Sequence, residues 1–261
     1  MRDAQSDIAI VVTGTITPTS NYTKNRDPAK RRAEYLNSLK YYSAFGEVFF
    51  LENSGYDLAG DRDFSELERV HLRPMPVDMD STHSIGYQEF HMLDTWLAAE
   101  QEMPRKWVKL SGRYIIENFP KLMHQFQTTD KDLVMDVYMY RKWADTWLFC
   151  ITTEYWEEHF KGKYIVSQPY LAIETVLYCY LRWHAFPSVD CFVEGPRFSI
   201  VSSEGTAVDV NHSLWARLLD WLRCRKLAET RTGGVILVSL YKITMPVSVE
   251  KVSRFLGLSS R

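Results

Sequence analysis

The sequence predicts an α/β fold with a mostly parallel central sheet, helices on both faces and a less regular C-terminal part. Two observations predict it. Short β-branched or aromatic apolar runs alternate with stretches of helical periodicity up to about residue 115, and such alternation builds parallel strands joined by covering helices. Each early run also stops at a polar turn, where a buried strand hands over to a loop.

The elements follow in order. Ile8–Val12 is a buried strand that ends at Thr13-Gly14-Thr15. After a polar loop, Asp27 and Pro28 mark a helix start, as N-cap and first-turn proline, and Tyr35, Leu36, Leu39 and Tyr42 keep helical spacing. Gly46 ends that helix. Val48–Leu51 is a second strand leading into Glu52-Asn53-Ser54-Gly55, Asp63–Val70 a short helix, and His71–Met75 a further edge of the sheet. Gly86–Glu102 reads as a long helix burying Phe90, Leu93, Trp96 and Leu97, followed by the strand Trp107–Leu110. Beyond residue 130 the pattern loosens: strands over Leu133–Tyr140 and Thr146–Thr152, then helices over Thr153–Phe160 and Pro169–Trp183. A hairpin over Ser199–Val210, an amphipathic helix over Ser213–Ala228, a strand over Val235–Leu240 and a short helix over Ser248–Leu256 complete the chain.

Composition narrows the function classes. A formal charge of −2 gives no basic field for nucleic acid. The four cysteines are scattered, with no CxxC pair, and read as reduced and buried. No apolar run reaches membrane-spanning length and the N-terminal run is too short for a secretory leader, so a cytoplasmic location is expected. The aromatic content of 14% fits a sugar cleft as well as a bulky core. The histidines lack zinc-binding spacing.

Ligands of parallel sheets bind at the carboxyl ends of the strands, where Thr13–Thr15, Glu52–Asp57 and Lys109–Tyr114 converge. Backbone amides of Thr13, Gly14 and Thr15 could meet a donor's phosphates there, or form an ordinary turn. Of Lys30, Arg31 and Arg32, one, represented by Arg32, is a candidate phosphate partner among solvated charges. Asn53 and Asp57 are candidates for a ribose or sugar hydroxyl, or for turn capping.

The segments ending Val12-Thr13-Gly14-Thr15, Arg31-Arg32-x-x-Tyr35, Ser38-Leu39-x-x-Tyr42, Glu52-Asn53-Ser54, Gly86-Tyr87-Gln88-Glu89-Phe90 and Lys109-Leu110-Ser111-Gly112-Arg113-Tyr114 resemble GT-A glycosyltransferases, a Rossmann-related fold. The likeness runs over roughly residues 8–185, and the pattern resembles bacterial capsule and O-antigen enzymes. It implies one domain over 1–261, with a donor-binding half over about 1–118 and an acceptor and catalytic half over about 119–261. It also implies an activated sugar donor and a glycan acceptor, commonly lipid-linked at the inner membrane face. In such enzymes the strand at Trp107–Leu110 ends in an Asp-x-Asp that holds a divalent metal. Here Ser111-Gly112-Arg113-Tyr114 offers no carboxylate, so Lys109 and Arg113 are expected to neutralise a diphosphate directly. Asp78-Met79-Asp80 leaves room for Mg or Mn elsewhere.

Transfer with inversion needs a carboxylate to take the acceptor's proton. Glu174 and Asp136 are the candidates, with Glu154 behind them. Glu174 lies among Ala172, Ile173, Val176 and Leu177, which would raise its pKa, and Asp136 lies in the apolar strand Leu133–Tyr140. His212 is a candidate for the donor phosphates or a helix cap. Three functions remain open: transfer from a nucleotide sugar, phosphoribosyl transfer from phosphoribosyl diphosphate to a glycan, and a non-catalytic module of an assembly complex. The basic, Trp-bearing helix Ser213–Ala228 either covers the core or touches an anionic membrane.

Overall fold

The computed structural model describes residues 8–199, apart from 22, 24, 103, 139–141, 168–170 and 185–187. Seven strands form one sheet: β1 (Ile8–Gly14), β2 (Val48–Glu52), β3 (Val70–Pro74), β4 (Lys106–Ser111), β5 (Leu133–Tyr138), β6 (Trp143–Thr152) and β7 (Val189–Asp190). Their order is β3-β2-β1-β4-β6-β5-β7. Only β6 runs antiparallel to its neighbours; the other pairings are parallel. The order reverses direction between β1 and β4, so the switch point of the sheet lies at the carboxyl ends of these two strands.

Among the described residues there are six α-helices: α1 (Pro28–Tyr42), α2 (Arg62–Ser65), α3 (Ile85–Ala99), α4 (Phe119–Thr128), α5 (Thr153–Tyr155) and α6 (Ile173–His184). α1 starts where the sequence indicates, since the Asp27 carboxylate accepts from the amides of Ala29 at 3.0 Å and Lys30 at 3.3 Å. α3 starts a residue before Gly86, capped by the Ser84 hydroxyl on the Tyr87 amide at 3.1 Å. α2 is shorter than expected because Val70 already pairs with Val48 in the sheet. α4 and β7 are additions to the elements read from sequence. The helix expected over Thr153–Phe160 is one turn of α5 followed by a π-helical turn, Trp156–Phe160, closed by the Lys161 amide on the Trp156 carbonyl at 2.9 Å.

The two faces bury separate cores. Val11, Trp107, Met135 and Phe149 meet Phe90, Leu93 and Trp96 of α3, Val176 and Leu177 of α6, and Trp156. Ile10, Val12, Val108, Leu110 and Val134 meet Tyr35 and Leu39 of α1 and Leu122 and Phe126 of α4 on the other face. This is the α/β arrangement anticipated, with helices on both sides. Cys150, Cys179 and Cys191 are buried. No helix among the described residues is long and apolar enough to cross a membrane. His212, the helices over 213–228 and 248–256, the strand over 235–240 and the hairpin beyond Ser199 lie outside the described residues.

Candidate active site

The three loops do converge. Thr13 is in register with Leu51 of β2 and Ser111 of β4. The Gly112 amide donates to the Thr13 carbonyl at 2.9 Å, and the Thr15 hydroxyl donates to Asn53 Oδ1 at 2.6 Å. Gly14 and Gly112 are required by packing. A Cβ on Gly112 would lie 2.5 Å from the Thr13 carbonyl oxygen and 2.8 Å from the Tyr35 ring, and one on Gly14 would lie 2.4 Å from the Phe50 ring.

Strand alternation sends Lys109 and Ser111 to the α3–α6 face, where a buried polar network replaces apolar contact. The Lys109 ammonium donates to Glu89 Oε2 at 2.8 Å, Ser111 Oγ at 2.9 Å and the Thr146 carbonyl at 2.8 Å. Thr13 and Ser111 hydroxyls both donate to Glu89 Oε1 at 3.0 Å. The Thr146 hydroxyl donates to Glu174 Oε1 at 3.0 Å, so β6 ties the base candidate to the same network. Burial pushes the Glu174 carboxyl up to about 7; the Thr146 hydrogen bond opposes this, and the charges of Asp145 and Glu89 add to it. α3 and α6 approach closely here, because a Cβ on Gly86 would lie 2.4 Å from Ile173 Cγ2.

The opposite face of the same edge carries Arg113. Its side chain is 7% exposed, and Nη1 donates to Glu34 Oε2 of α1 at 2.9 Å. Beside it, Arg31 is buried and pins the loop after β1: Nε donates to the Thr15 carbonyl at 2.7 Å, Nη1 to Asn25 O at 3.2 Å and Nη2 to the Tyr35 hydroxyl at 3.1 Å.

Several candidate side chains spend their polar groups within the protein. Lys109 is fully buried, with all three ammonium donors engaged by Glu89, Ser111 and the Thr146 carbonyl. The amides of the loop after β1 are also engaged: Thr15 N donates to the Tyr35 hydroxyl, Ile16 N to Glu52 and Thr17 N to Ser54 Oγ. Arg32 turns to α2, with Nε and Nη2 each 2.6 Å from Asp61 and Nη2 2.5 Å from Asp63. Asp57 caps a turn by accepting from the Gly60 amide at 2.9 Å. Asp136 lies on the α1–α4 face, two residues from Val134 on its strand, and accepts from the Tyr138 hydroxyl at 3.3 Å. The two base candidates therefore belong to different faces.

The residues do not fit the divalent metal that the resemblance implies. Both Glu89 oxygens already accept hydrogen bonds, and among the described residues no group of three or more His, Cys, Asp or Glu side chains is disposed to hold a metal. Asp78 and Asp80 hold their own loop: Asp78 contacts His83 Nδ1 at 2.7 Å, and Asp80 accepts from the Thr82 amide and hydroxyl. Glu89, Ser111, Thr146 and Glu34 complete the edge without having been singled out from sequence. Glu89 had a signal, since it shares the stripe of Leu93 and Trp96 that α3 turns to the sheet.

No family profile and no curated protein matches the sequence. Among solved structures, the chain is similar to galactosyltransferase LgtC bound to donor and acceptor sugar analogues, with TM-score 0.42 and 10% identity over 66% of this chain and 70% of that one. It is similar to the glycosyltransferase GlyE of Streptococcus pneumoniae, with TM-score 0.45 and 8% identity over 71% of this chain and 45% of that one. A putative glucose-1-phosphate thymidylyltransferase from Bacillus anthracis gives TM-score 0.43 and 13% identity over 82% of this chain and 94% of that one. The fold class observed is the α/β one that the sequence predicts, a mostly parallel sheet with helices on both faces.

Proposed function

We propose that this chain is a glycosyltransferase that moves an activated sugar from a diphosphate-type donor to a hydroxyl of a bacterial surface glycan. The observation that carries the reading is the Glu174 carboxyl. It stands at the switch-point edge of the sheet, held by the Thr146 hydroxyl, with its pKa pushed up to about 7. A base whose pKa lies near the working pH is substantially ionised there and still basic enough to take a proton.

In the reaction, the acceptor oxygen bonds to the anomeric carbon while the bond from that carbon to the donor's phosphate oxygen breaks. The acceptor's proton passes to Glu174, and the phosphate group leaves with the bonding electron pair. Lys109 neutralises Glu89 and thereby limits the negative charge facing Glu174. Lys109 and Glu89 are positioning residues in this scheme. Glu174 is preferred over Asp136 because it shares the polar network of Thr13, Ser111 and Glu89.

Glu174→Gln should cost roughly two to four orders of magnitude in transfer rate. The wild-type rate should rise with pH and level off above about 7, because the base must be ionised to act. The amide variant should lose that pH limb. Transfer from a nucleotide-sugar panel, followed by nucleoside diphosphate release, measures both; a full rate in Glu174→Gln would remove this residue as the base.

A further inference from the structure

We infer that Arg113 and Glu34 form a gated anion site that takes the donor's diphosphate without a divalent cation, an inference that rests on the transferase reading above. A guanidinium carries five N–H donors in a planar fork. Arg113 is 7% exposed, yet it spends one contact on Glu34 Oε2 at 2.9 Å and has no other hydrogen bond among the described residues. Its guanidinium carbon also lies 5.9 Å from the centre of the Tyr114 ring. The unspent Arg113 nitrogens are not among the buried unpartnered atoms, so they reach solvent at the edge of the sheet, where an incoming anion can meet them.

The other cations near this edge differ. Lys109 has three partners, Arg31 one on each of its nitrogens, and Arg32 two carboxylates. Arg113 is alone among them in having a free fork. It also stands two residues beyond Ser111, at most about 7 Å of chain, and so directly at the switch point. Phosphate oxygens match the fork bidentately. Glu34 is itself 18% exposed on α1 and makes a single-point contact, so it competes with an incoming anion for the same guanidinium. Glu34 is therefore the gate: it keeps the site paired when empty and weakens anion binding in proportion.

Titration calorimetry with inorganic diphosphate, uridine diphosphate and phosphoribosyl diphosphate, each in EDTA and in magnesium, tests the site. The shared diphosphate should bind in EDTA, and the probe that binds tightest identifies the source. Arg113→Gln should weaken binding about tenfold to a hundredfold, the worth of a bidentate charge-assisted contact. Glu34→Gln, which keeps the shape of the more exposed partner, should tighten it several-fold. Equal weakening in both variants would mean a purely structural ion pair and overturn the inference. So would unchanged affinity in an Arg113→Gln protein that unfolds cooperatively, or binding only when magnesium is present. If binding needs magnesium while Glu174→Gln abolishes transfer, this inference fails alone. If binding is metal-free at Arg113 while Glu174→Gln transfers at full rate, the proposed base fails alone.

Discussion

Lys109→Met separates a ligand-binding lysine from an orienting one. The substitution keeps the apolar stem and removes the ammonium, so three acceptors lose a donor at once: Glu89 Oε2, Ser111 Oγ and the Thr146 carbonyl. Removing one partner of a buried ion pair costs about 3–5 kcal/mol, because the remaining charge stays buried without compensation. Glu89 is 15% exposed and keeps two hydroxyl donors, from Thr13 and Ser111, which places the cost at the low end, about 3 kcal/mol. For a chain of this size that lowers the melting temperature by roughly 6–12 °C. Replacing Glu89 by Leu in the Lys109→Met background removes the stranded carboxylate and should recover most of the loss. Urea unfolding of the wild type, both single variants and the double variant, followed by tryptophan fluorescence, gives the coupling energy. A cost below about 1 kcal/mol for Lys109→Met, which is the range of an exposed pair, would refute the buried-network account. If diphosphate affinity fell at the same time, Lys109 would be a ligand contact instead.

Two further outcomes follow from the same edge. Gly86→Ala puts a methyl 2.4 Å from Ile173 Cγ2, so α3 and α6 must part; stability should fall by about 1–3 kcal/mol and transfer by up to about a hundredfold, with Ile173→Ala relieving the overlap so that the double variant loses less than the sum of the two single variants, and an unchanged melt and rate would deny the close approach its role. Glu174 carries a raised pKa in the fold, so the native state binds more protons than the unfolded chain between about 4.5 and 7, and its contribution to stability is lost as pH rises through that window. Glu174→Gln should therefore match the wild type at acidic pH and exceed it by up to about 3 kcal/mol above pH 7, as urea midpoints across pH would read; a pH-independent difference would contradict the shift.

The fold was largely legible because its parallel strands are short apolar runs with sharp polar ends. β1, β2 and β4 are all of that kind, and their ends mark the switch point. α1 was legible from Asp27 and Pro28: the Asp27 carboxylate makes the capping hydrogen bonds and Pro28 sits in the first turn. α4 passed unread although Phe119, Leu122, Met123 and Phe126 keep helical spacing. Its start also carries Asn118 and Pro120, yet Asn118 makes no capping bond: its side-chain amide donates to the Gly195 carbonyl and its oxygen accepts from the Arg197 amide. β7 has two residues and exists only through pairing with Leu133 and Val134, a long-range partner that no local pattern encodes. The antiparallel entry of β6 is likewise set by its pairing with β4 and β5 rather than by its composition.

The site was legible as a place and much less as a set of roles, for a physical reason that Lys109 illustrates. Strand periodicity puts Lys109 on the same side as Trp107, so its side chain had to enter a core, and a buried ammonium must find acceptors. That much follows from sequence, and it argues against a free phosphate-binding lysine. The identity of the acceptors does not follow, because Glu89 is twenty residues away on a helix and Thr146 offers a backbone carbonyl from a strand thirty-seven residues on. Positive charge looks the same in sequence for Lys109 and Arg113 at a strand end and for Arg31 and Arg32 near the start of a helix. What ranks them is how many of their donors the fold has already used. By that measure Lys109 and Arg31 hold the scaffold, Arg32 fastens α2, and Arg113, one partner against five donors, is the cation left with capacity for a ligand.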